Sequence, residues 1–212
     1  MVARVVSLLF LSMGIFLLVQ VAMPFLAFKF WEVTAYQKDS ILVDPNPGGD
    51  VENFAVENIG DFPAIVSKSS HSNYAQYKQF YLTIPSLNLN WPKVLVNSNS
   101  FEDNLALLPG SALPGERGNV FITGHSSLTQ LYKEGNYKAV FAHLPEIKRD
   151  DEIDLNVLGQ VYKYKVEGIK IVDPKDISVV KPPDSSGRYL TLMTCVPPGF
   201  NTKRLIVLAR LH

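Results

Sequence analysis

The run Tyr189-Leu190-Thr191-Leu192-Met193-Thr194-Cys195 consists wholly of β-branched, aromatic and apolar residues and ends on the only cysteine of the chain. Such a run reads as a strand, and alternation places Tyr189, Thr191, Met193 and Cys195 on one of its faces. Arg204 then opens a second apolar run, Leu205-Ile206-Val207-Leu208-Ala209. Val196-Pro197-Pro198-Gly199-Phe200-Asn201-Thr202-Lys203 connects the two, and its Pro and Gly residues punctuate it as a loop. If the runs pair as an antiparallel hairpin, Cys195 and Arg204 meet at its loop end. Further upstream, Asn119-Val120-Phe121-Ile122-Thr123 leads into Gly124-His125. A thiol, an imidazole and a guanidinium at strand ends form a set suited to acyl transfer: nucleophile, proton carrier and oxyanion partner.

Short β-rich runs recur from about residue 78: Phe80–Ile84, Trp91–Val96, Val120–Thr123, Ile153–Leu158, Val161–Val172, Arg188–Cys195 and Arg204–Leu211. Two short helices are expected, over Glu102–Leu107 and Tyr137–Leu144. Asn136 caps the second, and Val140, Phe141 and Leu144 supply its apolar face. Seven or eight strands with two minor helices argue for a mainly β protein, a closed or nearly closed barrel.

With 20 basic and 20 acidic residues the formal net charge is zero, and the basic residues are scattered, which argues against nucleic-acid binding. One cysteine excludes an internal disulfide framework. One cysteine and four dispersed histidines show no zinc-ligand spacing, and nothing calls for a metal or a cofactor.

Val5 to Phe28 is broken only by Ser7, Ser12, Gly14, Gln20 and Pro24. As a helix it rises about 36 Å, enough for the ~30 Å hydrocarbon core of a bilayer. Trp31 and Tyr36 follow where interfacial aromatics belong, and Arg4 precedes the run. Residues 1–31 are therefore expected to be a single-pass signal-anchor with its N-terminus in the cytoplasm. A cleaved signal peptide fits less well, because Val21-Ala22-Met23-Pro24 is a poor cleavage site. Residues 32–76, which include Pro45-Asn46-Pro47-Gly48-Gly49 and Ser67–Asn73, read as an extracytoplasmic tether or partial lid ahead of a catalytic domain over 77–212.

The same residues resemble the sortases, cysteine transpeptidases of bacterial surfaces. Thr191-Leu192-Met193-Thr194-Cys195 is similar to their TLxTC signature, Arg204 to the arginine that begins their last strand, and Gly124-His125 to their histidine site. The resemblance covers roughly residues 77–211. It implies an eight-stranded sortase-like barrel in which Cys195 attacks an LPxTG-like sorting signal. Arg204 steadies the oxyanion, with Thr194 as a further candidate, and His125 protonates the leaving amine. An amine acceptor, a peptidoglycan precursor or a protein lysine, then takes the acyl group. Ile177, Val179, Val180 and Pro182 lie where the family's specificity loop would line an apolar pocket. Asp44-Pro45 resembles part of the lid motif of pilin-polymerising sortases, but Asn46 replaces its aromatic. Pro197/Pro198-Gly199 and Asn201-Thr202 resemble that subclass, whereas His125-Ser126-Ser127 does not.

Two other readings compete. One is a different cysteine acyltransferase acting on peptidoglycan; its histidine would lie close in sequence to the cysteine, and here 70 positions separate His125 from Cys195. The other is a non-catalytic, membrane-tethered barrel that binds a partner. An arbitrary lone cysteine is most often a small buried hydrophobe, and the thiol's reactivity in the native fold separates these cases.

Overall fold

The computed structural model describes residues 2–36, 53–59, 62–68, 76–199 and 201–212, in two compact units, Met1–Lys38 and Asp39–His212. In the first unit Val2–Tyr36 is one α-helix, α1. Its side chains from Arg4 to Gln20 are exposed, among them Leu8, Leu9, Phe10, Phe16 and Leu18. Among the described residues no helix is long and apolar enough to cross a membrane. Asp44-Pro45, the Pro45–Gly49 stretch and residues 69–75 lie outside the described residues.

The second unit contains ten strands: β1 (Phe54–Ile59), β2 (Phe62–Ser67), β3 (Gln79–Ile84), β4 (Leu89–Val96), β5 (Leu105–Leu107), β6 (Gly118–Thr123), β7 (Glu152–Val157), β8 (Gln160–Val172), β9 (Arg188–Val196) and β10 (Lys203–Leu211). The last eight close into a barrel in the order β10-β8-β7-β3-β4-β5-β6-β9. Strands β3 and β7 alternate buried and partly exposed residues, as a one-sided core demands. Leu82, Ile84, Leu155, Ile122, Leu190, Leu192 and Val207 fill the barrel core.

Strands β9 and β10 are buried along both faces for most of their length. The outer cover comes from a two-stranded antiparallel hairpin, β1–β2. Its Ile65 packs in one cluster with Leu108, Phe121, Val172, Val180, Met193 and Ile206. Burying a side chain of that size contributes about 1.5–3 kcal/mol, so part of the expected tether is built into the barrel's unit, which begins well before residue 77. Strand β10 runs in unbroken register with β9 from Lys203 to Arg210, whereas its pairing with β8 shifts between Leu208 and Ala209.

The helix expected over Glu102–Leu107 is not formed. Leu105–Leu107 is instead the barrel strand β5, parallel to β4 and antiparallel to β6. Inserted between two strands, three apolar residues buried on both faces satisfy their backbone groups laterally. The second helix is reduced to two 3₁₀ turns, Tyr137–Ala139 and Leu144–Glu146. Asn136 does cap the first, its side chain accepting from the Lys138 N–H at 3.2 Å.

Candidate active site

The loop Val196–Lys203 returns the chain so that Cys195 and Arg204 are direct cross-strand partners. The antiparallel register fixes this, and the sequence spacing anticipates it. Next along the same faces, Met193 pairs with Ile206, and both belong to the apolar cluster beneath the hairpin. The thiol and the guanidinium thus stand at the edge of a packed apolar floor.

His125 follows β6, which lies parallel to β9. Its approach is sterically demanding. A Cβ on Gly124 would come within 2.3 Å of Leu105 Cδ2 and 3.0 Å of Phe141, so the chain passes there only as glycine. The Gly124 N–H donates to the Met193 carbonyl, and the Phe141 N–H donates to the His125 carbonyl. Thr194 completes the tie, its buried hydroxyl donating to the Gly124 carbonyl at 2.8 Å. Its hydrogen is committed to that carbonyl, which ties the end of β9 that carries Cys195 to the turn that carries His125. Thr191 acts similarly on the other side. It donates to Asn119 Oδ1, and Asn119 Nδ2 donates to the Val180 carbonyl, which pins the 177–180 turn to β6 and β9.

Cys195, His125 and Arg204 line one cleft of about 570 Å³, together with Thr194, Met193, Phe101, Glu102, Lys138, Pro63 and Ala64. Arg204 is 3% exposed and donates to the carbonyls of Asn201, Lys203 and Pro63. Three neutral acceptors leave its charge uncompensated by any carboxylate among the described residues, which suits it to an anionic intermediate. Burial pushes the Cys195 thiol above its ordinary value, and the nearby Arg204 guanidinium pulls in the opposite direction. Burial likewise lowers the His125 imidazole, against an upward pull from Glu102. The imidazole ring lies 4.6 Å from that of Phe101.

Of the apolar residues expected to line a substrate pocket, Val180 is buried in the hairpin cluster, and Ile177 and Val179 pack against it. None of the three lines the cleft, and neither does Pro182. Ile65 of β2 sits in their cluster instead. Phe101, Glu102 and Lys138 are site components that sequence reading does not pick out, and within residues 32–76 it reads a tether or partial lid but not the strands of the hairpin. The one signal for the hairpin is Gly60-Asp61 between the apolar ends Ile59 and Phe62. Among the described residues no group of acidic, histidine or cysteine side chains is arranged to hold a metal.

Residues 82–212 match the family model of the sortase domain. A Sortase A from Listeria monocytogenes is 27% identical over 96 residues, 45% of this chain; the match takes in 39% of that protein's length, so the chain spans well under half of this curated relative. A Clostridium perfringens Sortase D5 transpeptidase superposes with a TM-score of 0.53 at 25% identity, covering 64% of this chain and 79% of that one. A lid mutant of Sortase A from Corynebacterium diphtheriae superposes with a TM-score of 0.55 at 30% identity, covering 66% and 73%.

Proposed function

The chain belongs to the sortase family, and from that premise we propose that it is a membrane-anchored cysteine transpeptidase acting on an LPxTG-like sorting signal. The observation that carries this reading is the cross-strand pair Cys195–Arg204 opening into the same cleft as His125. In the proposed cycle the Cys195 thiolate forms a bond to the scissile carbonyl carbon, and its oxygen takes up the negative charge beside Arg204. The C–N bond then breaks as His125 delivers its proton to the leaving amine. An acceptor amine, from a peptidoglycan precursor or a protein lysine, attacks the thioester, loses its proton to His125 and releases Cys195.

The raised thiol and lowered imidazole make thiolate plus imidazolium a minor population of the resting protein. Rate then comes from the high nucleophilicity of a thiolate whose conjugate acid is weak. Arg204 already holds a backbone carbonyl, that of Pro63, and a sorting signal would present carbonyls of its own to the same donors. This supports the hairpin as a partial lid over the Arg204 end of the cleft.

Anchoring rests on α1. What supports it is the sequence run Val5 to Phe28, which carries no charged residue and as a helix rises about 36 Å; the side chains described from Arg4 to Gln20, too short a stretch to span a bilayer by themselves, are all exposed, a pattern that suits a helix surrounded by lipid. The proposed arrangement is a single pass, with a cytoplasmic N-terminus and the barrel outside a bacterial cell membrane.

The test is intact-mass spectrometry of the full chain in detergent micelles, incubated with LPxTG-like peptides. The expected result is an acyl adduct on Cys195, discharged by an added amine and absent from Cys195→Ala. A thiol that takes iodoacetamide but no peptide would overturn the sorting-signal assignment. A thiol that takes neither would overturn the enzymatic reading and leave a binding barrel.

A further inference from the structure

We propose that Glu102 is a positioning residue for His125, its carboxylate holding the imidazole in the cleft and favouring the imidazolium. Phe101 and Glu102, from the loop between β4 and β5, approach the ring together. Phe101 lies against it at 4.6 Å between ring centroids, and Glu102 Oε1 stands 3.6 Å from His125 Nε2. That nitrogen is a buried atom with no hydrogen-bond partner among the described residues, although the His125 side chain as a whole is 29% exposed. Glu102 therefore addresses the buried, unpartnered nitrogen of the ring.

The other charged or titratable groups of the cleft come from different elements: Lys138 from the 137–139 turn, Cys195 from β9 and Arg204 from β10. Lys138 opposes the imidazolium, and Arg204 carries the same positive sign. Among the described residues lining the cleft, Glu102 is the one carboxylate, so while the thiol is neutral it supplies the negative side-chain charge that favours a proton on His125.

An ion pair with so exposed a carboxylate adds little to fold stability. Its effect on chemistry differs in kind. For its consequence in catalysis, the inference rests on the transpeptidase reading, in which the reactive form pairs thiolate with imidazolium. Where the thiol titrates above the imidazole, the fraction in that form falls tenfold for each unit by which the two separate. Removing Glu102 widens the gap. The plateau of kcat/KM then falls, and the acid limb moves to lower pH by the logarithm of the same factor. The alkaline limb, set by Cys195, stays in place. Below the acid limb His125 is protonated in both proteins, and the two rates merge. A loss that arises only from disturbed packing would lower the curve at every pH.

The experiment compares the full chain in detergent micelles with Glu102→Gln and Glu102→Asp. One measurement is the pH profile of peptide turnover; the other is the His125 titration followed by NMR. Glu102→Gln is expected to lower the plateau about two- to fivefold, to shift the acid limb downward, and to lower the NMR midpoint of His125. Glu102→Asp falls between it and the native protein. An unmoved NMR midpoint overturns the proposal, as does a lowered plateau with an unmoved acid limb. If the native chain turns over no peptide, the transpeptidase reading fails separately. The NMR midpoint alone then decides: a downward shift in Glu102→Gln sustains the Glu102–His125 coupling, and no shift overturns it.

Discussion

Arg204 donates a guanidinium N–H to the main-chain carbonyl of Pro63, a residue 141 positions earlier in the chain. The contact joins a hairpin outside the barrel to the side chain that faces Cys195 across two strands. Just below it, Ile65 of the same strand is 2% exposed within the apolar cluster. The hairpin is thus held at one point by a polar contact and at another by packing.

Ile65→Ala removes the packing contact, at a cost of about 2–4 kcal/mol in local stability. If the hairpin covers the Arg204 end of the cleft, it then opens more often. Alkylation of Cys195 by iodoacetamide is expected to accelerate about tenfold, with the barrel's far-UV circular dichroism unchanged. An unchanged alkylation rate would show that the hairpin does not gate the thiol.

Arg204→Lys keeps the charge but loses the planar fork that reaches three carbonyls at once. Peptide turnover is expected to fall about 10²–10³-fold, the scale of losing an oxyanion partner, while iodoacetamide still labels Cys195. Measured as kcat at saturating peptide, a loss under threefold would remove Arg204 from the chemical step.

The imidazole is held below its ordinary 6.5 and the thiol above its ordinary 9.0. At low pH both groups are protonated, and rate rises as the thiol begins to ionise. Above the imidazole's midpoint, each further gain of thiolate is matched by a loss of imidazolium, so the rate is flat. Above the thiol's midpoint it declines. The native profile of kcat/KM against pH is therefore expected to be a broad plateau, with its acid limb below 6.5 and its alkaline limb above 9.0. A narrow bell centred between closely spaced limbs would contradict this order.

Gly124→Ala places a methyl group 2.3 Å from Leu105 Cδ2. Overpacking of this kind costs about 1–3 kcal/mol and displaces the turn that carries His125. Calorimetry should show a melting temperature lower by about 2–8 °C, with turnover reduced more than tenfold. A native melting temperature would mean that β5 yields to the methyl group.

Thr194→Val preserves shape and removes the hydrogen bond to the Gly124 carbonyl, worth about 1 kcal/mol plus the cost of leaving that carbonyl unpaired. Turnover is expected to drop about three- to tenfold, with Cys195 still alkylated at the native rate. A faster or slower alkylation would place Thr194 next to the thiol's chemistry rather than behind the histidine.

The sequence carries the catalytic strands because their signal is local. Seven consecutive strand-forming residues end on Cys195, and the loop to Arg204 is short enough to set the register. His125 is harder, since its neighbours β6 and β9 pair in parallel and no turn joins them. Leu105–Leu107 defeats periodicity because three apolar residues fit a helix and a buried strand equally well. In the segment Phe62–Val66, Pro63 demotes a strand reading to an edge, and in the two-stranded hairpin β2 is such an edge. Glu102 has no sequence signal, because its closeness to His125 depends on loops separated by two strands.

Strand β10 has one regular seam and one faulted seam: its pairing with β9 is continuous, and the irregularity between Leu208 and Ala209 falls wholly on the β8 side. A slip of one residue along the β9 seam would turn Arg204 away from Cys195 and take the guanidinium out of the cleft. On the β8 seam the same misfit is harmless. The barrel's other register shift, between Tyr81 and Thr83 where β3 pairs with β4, likewise lies on strands that carry none of Cys195, His125 and Arg204. An irregularity on the β8 side thus leaves the spacing between nucleophile and guanidinium as the β9 seam sets it.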